Sequence, residues 1–384
     1  MISLTDSEKS IFKKFSNNLG FYFSELLEYP FVKPHWIYIS LSHKCTYECK
    51  MCGVVKILHG HDLDTSLVKR LLDEIALLNS ESVVLFTGGE VFLRKDAFEI
   101  INHGVRQGLT IEAVSNGSLI DQALAKKIVE SGLSNIAVSL DGAKEATHDL
   151  IRQKGAYKKA LNALRFLADA KRQKGSGPQI SMWVTIMREN VDELFDIIAL
   201  AKDLGVECLV YHPVIVGQDD MQNTSTDAPF WIRGKDLEIL KDQIDKIVKF
   251  QSENGLISFL HDPYLWINYF QGNITKSQWK CNPFVFTNIG PDGQMRSCGD
   301  SFGNIKELGF NDCLHTSQAQ EARKIMKNCS KPCLQTCWAH PDSDSLAKIV
   351  SNFVKDIKGS PHKVELLKEA LELIEEYEKK IPTG

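Results

Sequence analysis

The stretch Cys45-Thr46-Tyr47-Glu48-Cys49-Lys50-Met51-Cys52, "CTYECKMC", places three cysteines within eight residues at spacing C-x3-C-x2-C. It directly follows Trp36-Ile37-Tyr38-Ile39-Ser40-Leu41, a strand by its aromatic and β-branched content. Thiolates bind soft metals, and closely spaced thiolates on one loop can converge on one centre. A 4Fe-4S cluster usually takes four Cys thiolates. Here no fourth cysteine is near, and three thiolates would leave one iron open to an outside ligand, as catalytic metal sites keep an open position. A zinc site, with His43 or His59 as fourth ligand, is the rival reading on spacing alone.

Outward from this stretch the chain alternates strand and helix. Leu67–Leu78 has helical apolar spacing behind the cap candidates Asp64, Thr65 and Ser66. Strands are predicted at Ser82–Phe86, Thr110–Val114, Asn135–Leu140, Ile180–Met187 and Glu207–His212. Helices are predicted at Ala97–Val105, Gln122–Glu130, Tyr157–Arg172 and Val191–Leu204. The expected fold is α/β, a partial (β/α)6 TIM-like barrel, with a small C-terminal cysteine-rich module. One more helix, Asp236–Gln251, and a short strand, Leu256–Leu260, are too few to close an eight-stranded barrel. The expected division is an N-terminal helical extension (1–34), the core (35–260), the cysteine-rich module (261–345) and a C-terminal helical segment (346–384). Residues 363–380 form a strongly amphipathic helix, expected to pack on the barrel or on a partner chain.

The 384 residues are 43% hydrophobic, ample for a sizeable core. A net charge of −4 and no long basic run make nucleic acid an unexpected partner. Charges at Glu8, Lys9, Lys13 and Lys14 break any signal-peptide apolar region, and no run near 18 apolar residues offers a membrane span. The expected compartment is the cytoplasm, where ten cysteines are better read as ligands or reactive thiols than as disulfides.

Four motifs at successive strand ends carry a resemblance. They are Cys45-x3-Cys49-x2-Cys52, then Gly88-Gly89-Glu90, Ser115-Asn116-Gly117, and Ser139-Leu140-Asp141-Gly142. In this order they resemble the radical SAM enzymes over most of residues 36–215. The resemblance implies a 4Fe-4S cluster on Cys45, Cys49 and Cys52, with S-adenosylmethionine on the open iron. The side chains absent at Gly88 and Gly89 allow close backbone approach to a ligand, and their carbonyls with Glu90 would hold its ammonium group. Ser115, Asn116 and Ser139 would serve the rest of the cofactor. Arg152, in "HDLIRQKGAY", resembles the family's "HD-x-IRG" segment and would pair with the methionyl carboxylate. Met51 stands where the family usually has an aromatic residue, so altered contacts with adenine are expected there. Met187 and Arg188 carry no family signature.

From Cys281 onward there are six cysteines. Phe284–Ile289, Gly290-Pro291-Asp292-Gly293 and Gln294–Ser297 read as a β-hairpin with Cys281 and Cys298 at its open end. The pattern C-x11-G-x4-C resembles the start of the auxiliary-cluster module of the same family, SPASM in its full form and twitch in its short one. The count favours the short form with one auxiliary 4Fe-4S cluster. Cys281 and Cys298 are the firmest ligands, completed by two of Cys329, Cys333 and Cys337, with Cys333 and Cys337 slightly preferred. A four-cysteine zinc ribbon would use the same hairpin. Cys208 and Cys313 are expected to be structural.

The resemblance implies reductive cleavage of S-adenosylmethionine to a 5′-deoxyadenosyl radical, which takes a hydrogen atom from substrate, with flavodoxin or ferredoxin as reductant. Tyr211, His212 and Asp141 are the candidate substrate-facing residues, His212 as a general acid or base. With only 44 residues before Cys45, a small molecule (a sugar, nucleotide or amino-acid-like metabolite) is expected ahead of a ribosomal precursor peptide. A non-catalytic zinc- or iron-binding scaffold or sensor is the reading from a different class. Oligomeric state is not legible.

Overall fold

The structure is a computed structural model that describes residues 5–56, 62–79, 81–215, 228–254, 257–258, 262–275, 278, 281–329, 334 and 345–380. Seven parallel strands follow one another across its sheet: β1 Trp36–Ser42, β2 Val83–Gly88, β3 Thr110–Ser115, β4 Asn135–Ser139, β5 Gln179–Ile186, β6 Cys208–Pro213 and β7 Ile257–Ser258. β2, β4, β5 and β6 are short runs buried at most positions, as parallel strands covered by helices require, whereas β1 and β3 alternate buried with less buried residues. The helices between them are α2 Thr65–Leu78, α3 Ala97–Arg106, α4 Gln122–Glu130, α5 Glu145–Ile151, α6 Ala156–Lys174, α7 Asp196–Asp203 and α8 Lys235–Asn254, preceded by α1 Asp6–Leu27. The architecture is the partial TIM-like barrel that the alternation implies.

The C-terminal hairpin is not a separate sheet. β8 Phe286–Ile289 lies parallel to β1, with Trp36 opposite Phe286 and Ile39 opposite Ile289. β9 Gln294–Ser297 and β10 Asp300–Asn304 then continue antiparallel, so the sheet runs β10-β9-β8-β1-β2-β3-β4-β5-β6-β7. Two short helices, α10 Phe310–His315 and α11 Ser317–Asn328, frame this edge, whereas α9 Leu265–Phe270 packs at the other end of the sheet, where Trp266 meets Tyr211 of β6 and the Tyr269 hydroxyl donates to the Val214 carbonyl at 2.9 Å. The Phe310 N–H donates to Glu74 of α2 at 2.6 Å, which ties the segment back to the barrel.

The last helices, α12 Leu346–Asp356 and α13 Lys363–Glu378, pack on α1 rather than on the barrel. Phe15, Leu19 and Phe23 of α1 meet Ile349, Phe353, Leu366 and Ala370, and the Phe23 and Tyr377 rings stack with centroids 4.9 Å apart. Phe21, further along α1, packs on Phe284 and Val285 just before β8. The helix expected over Val191–Leu204 begins late. Asn190 accepts the Met187 N–H at 2.9 Å and donates to the Asp141 and Thr185 carbonyls at 2.7 and 2.9 Å, holding a 3-10 turn before α7. Among the described residues, no helix is long and apolar enough to cross a membrane.

Candidate functional site

A cavity opens at the C-terminal ends of the parallel strands, where α/β barrels build their sites. Cys45, Cys49 and Cys52 line one wall together with Tyr47 and Met51. Gly88 and Gly89 from the end of β2, Ser115 and Asn116 from β3, and Ser139 from β4 line another. Arg152, Trp183, Thr185 and His212 complete it. The spacing of motifs along the sequence thus becomes adjacency in space, because each sits at the same end of a neighbouring strand.

The loop bearing the cysteines is fixed by backbone. The Gly89 N–H donates to the Ser42 carbonyl at 2.7 Å and the Glu90 N–H to the Lys44 carbonyl at 2.9 Å. A Cβ at Gly88 would sit 2.4 Å from the Ser42 oxygen and one at Gly89 2.0 Å from the Lys44 oxygen, so no side chain fits at either place. On the far side, Lys50 donates its N–H to the Ile151 carbonyl at 2.8 Å and pairs through Nζ with the buried Glu189 at 2.7 Å.

Glu90 does not line the cavity. It is buried, accepts from Ser115 Oγ at 2.9 Å and from the Asn116 N–H at 2.8 Å, and burial raises its pKa against those hydrogen bonds. Its oxygens are taken up in joining the β2 and β3 loops, so the expectation that it grips a ligand's ammonium is corrected to a positioning contact. Asn116 in turn donates through Nδ2 to Thr46 Oγ1 at 3.0 Å and to Cys45 Sγ at 3.4 Å.

Asp141 and Arg152 form a buried pair, Nε to Oδ2 at 2.5 Å. Asp141 also accepts the Thr185 N–H at 2.8 Å, and its own N–H donates to His148 Nδ1 at 3.0 Å. Burial pushes the Asp141 carboxyl up, yet the charge and hydrogen bond of Arg152 hold it below its ordinary value. Asp141 is fully buried outside the cavity lining; it aims Arg152 and does not face substrate. Arg152 Nη1 reaches Cys49 Sγ at 3.9 Å. Tyr211 is likewise a core residue, its hydroxyl donating to the Leu194 carbonyl at 2.5 Å and its ring against Trp266. Of the three expected substrate-facing residues only His212 lines the cavity, set edge-on to Trp183 with centroids 6.1 Å apart. Burial holds its imidazole below the ordinary value, so it stands neutral near pH 7. Trp183 and Thr185 of β5 escaped the sequence reading; period-2 alternation along β5 would have paired them on one face, but not said which.

Among the described residues, no three His, Cys, Asp or Glu side chains close on one point as ligands of a single ion would. The three thiols line the one cavity, and as a donor set they would suit an iron–sulfur cluster. Burial pushes the bare Cys49 thiol up to about 11, opposed by Arg152, so a thiolate there calls for further positive charge of the kind bound iron supplies. His59 lies outside the described residues.

Residues 39–180 match the family model of the radical SAM superfamily. Over these residues the chain carries a radical SAM domain. Its relatives include the Fe-coproporphyrin III synthase of Methanosarcina barkeri, 25% identical over 83% of this chain and 82% of that one. The PqqA peptide cyclase of Ruegeria pomeroyi is 31% identical over 45% of this chain and 46% of that enzyme. Among solved structures, native anSMEcpe with bound AdoMet superposes with a TM-score of 0.60 over 88% of this chain and 100% of that one, at 15% identity, a likeness of fold. The cofactors of this radical SAM chain are a 4Fe-4S cluster and S-adenosylmethionine, and the thiols, the side-chain-free Gly88-Gly89 edge and the Arg152 guanidinium fit them.

A second cysteine group lies at the hairpin. Cys281 and Cys298 both pack against Phe286 of β8 and Met326 of α11. Cys298 has φ +52 and is followed by Gly299 at φ +94, a left-handed pair that turns the chain back at the hairpin's open end. Cys329 is half-buried one residue past α11, while Cys333 and Cys337 lie outside the described residues. No disulfide joins the eight described cysteines to one another. Cys313 is fully buried and burial pushes its thiol up to about 11, an inert core position, as expected.

Proposed function

We propose that the protein takes a hydrogen atom from an organic substrate that enters over Trp183 and His212. The observation that carries this reading is the convergence of Cys45, Cys49, Cys52, Gly88, Gly89 and Arg152 on the cavity that Trp183 and His212 also line. When bound, the cluster and S-adenosylmethionine supply a 5′-deoxyadenosyl radical by one-electron cleavage of the cofactor. The chain's own residues do the rest. Cys45, Cys49 and Cys52 hold the cluster. The Gly88-Gly89 edge would let backbone approach the methionyl amine, Arg152 would offer charge to the carboxylate, and Asn116 and Ser139 would offer polar groups to the sugar, with Ser115 held behind them by its bond to Glu90. Met51, which lines the same cavity, would meet the adenine. Neutral His212 is placed to accept or donate a proton on the substrate.

Cys281 and Cys298, with two of Cys329, Cys333 and Cys337, would hold one auxiliary 4Fe-4S cluster, which would supply a one-electron acceptor for a net oxidation. A flavodoxin- or ferredoxin-type protein supplies the first electron. A small-molecule substrate is supported by the relative aligned over most of the chain, which is a synthase of Fe-coproporphyrin III. A peptide substrate is supported equally by the higher identity to a peptide cyclase across the core.

Replacing Cys45, Cys49 and Cys52 together by Ala is expected to abolish 5′-deoxyadenosine formation from S-adenosylmethionine and dithionite, measured by chromatography. Retained formation would refute the assignment. Iron in that variant is expected near four per chain, down from about eight.

A further inference from the structure

Arg323 of α11 is only 3% exposed. Its guanidinium lies between two rings, 4.9 Å from the Phe284 centroid and 4.8 Å from that of Phe302. Among the described residues its Nε and Nη1 are buried without a hydrogen-bond partner, and no carboxylate pairs with it. The neighbouring charge is another cation, Lys33, which burial and then Arg323 depress below its ordinary value. Burial lowers Arg323 itself to about 10, which leaves it charged at neutral pH. A buried, unpaired guanidinium is costly, and ring faces offset only part of that cost. Among the described residues the side chain therefore lacks an anion.

Its position says where the anion belongs. Phe284 lies three residues after Cys281, and Phe302 four residues after Cys298. Met326 is one turn further along α11, on the same face as Arg323, and its side chain packs with Phe286, against which Cys281 and Cys298 also pack. Arg323 is thus held by both segments that carry the hairpin cysteines. A 4Fe-4S cluster on four thiolates carries a net charge of about −2 in its oxidised form, from four irons against four sulfides and four thiolates.

We infer that Arg323 is the buried counter-charge of the auxiliary cluster, a positioning residue that strengthens its retention and makes it easier to reduce. The inference rests on the reading that Cys281 and Cys298 hold that cluster. Removing a positive charge from beside a cluster disfavours the added electron, so the potential moves negative.

The test uses the full chain, anaerobically reconstituted with iron and sulfide, in the C45A/C49A/C52A background, so that only the auxiliary cluster reports. Adding C281A/C298A should remove the remaining iron; iron staying near four per chain would overturn the underlying cluster reading, and the inference with it. With that loss established, R323M is expected to shift the cluster's midpoint potential negative in a redox titration followed by electron paramagnetic resonance, with R323K close to the parent. Auxiliary iron lost in R323M but kept in R323K also supports the counter-charge. An unchanged potential in R323M, or equal loss of iron in R323M and R323K, would overturn it: packing would then be the side chain's whole role.

Discussion

His148 is fully buried, and its Nδ1 accepts the Asp141 N–H at 3.0 Å, so the ring must stay neutral there. Burial lowers its pKa to about 4 from 6.5. Between those values the unfolded chain binds more protons than the folded one. Stability is therefore full above pH 6.5 and falls as pH drops toward 4, by up to about 3 kcal/mol from this one group. His212 is lowered in the same sense, so the informative comparison is with H148N, whose amide oxygen can accept the same N–H. Chemical denaturation between pH 7 and 5 is expected to show a shallower decline in H148N; equal slopes would exclude His148 as the source. At this scale the sequence revealed which residues matter better than which way they face. Arg152 and the three cysteines were legible because their motifs encode one cavity wall. Glu90, Asp141 and Tyr211 were misplaced because chain position does not reveal that Glu90 is consumed by Ser115 and Asn116, or that Tyr211 bonds the Leu194 carbonyl.

The loop after β1 and the loop after β2 act as one element. The donation of the Gly89 N–H to Ser42 and of the Glu90 N–H to Lys44 extends the pairing of β1 with β2 up to the residue before Cys45. A methyl group at Gly89 would press on the Lys44 carbonyl and push the cysteine loop away, costing about 1–3 kcal/mol by overpacking. G108A provides the contrast: Gly108 has φ +82 with nothing within 4 Å of its Cβ position, so backbone strain alone applies, about 1 kcal/mol. G89A is expected to lose iron from the first cluster and most 5′-deoxyadenosine formation, with G108A near the parent in both. Normal iron loading in G89A would mean that the loop is not braced this way. The parallel strands were legible because most of them are short apolar runs set between helical stretches. The path of the hairpin was not: its turn was visible at Gly290–Gly293, but nothing local says that β8 lies beside β1 and extends the barrel sheet. The helices α5, α9 and α10, of six or seven residues, were also missed because they carry too little periodicity, and α11 because the charged Arg323 stands in its buried face.

At the scale of the whole molecule the described residues form two principal apolar cores, one between the barrel strands and their helices and one among α1, α12 and α13. The second unites the first and last segments of the chain, which the sequence presented as separate helical pieces, because an amphipathic helix declares an apolar face but not its partner. Phe21 on one side of α1 touches Phe284 and Val285, while Phe15, Leu19 and Phe23 face the terminal helices. The bundle therefore buttresses the segment between Cys281 and β8 without reaching the cavity. Phe23 is 1% exposed and stacked on Tyr377, so Phe23→Ala opens a void that should cost about 3–5 kcal/mol. That loss belongs to the bundle, since Phe23 contributes to its core and not to the barrel's. Hydrogen exchange of F23A is expected to rise across α12 and α13, with β1 to β6 as protected as in the parent and 5′-deoxyadenosine formation retained. Exchange that rises equally through the sheet would mean that the two cores unfold as one unit, and the terminal bundle would then be part of the barrel's own stability.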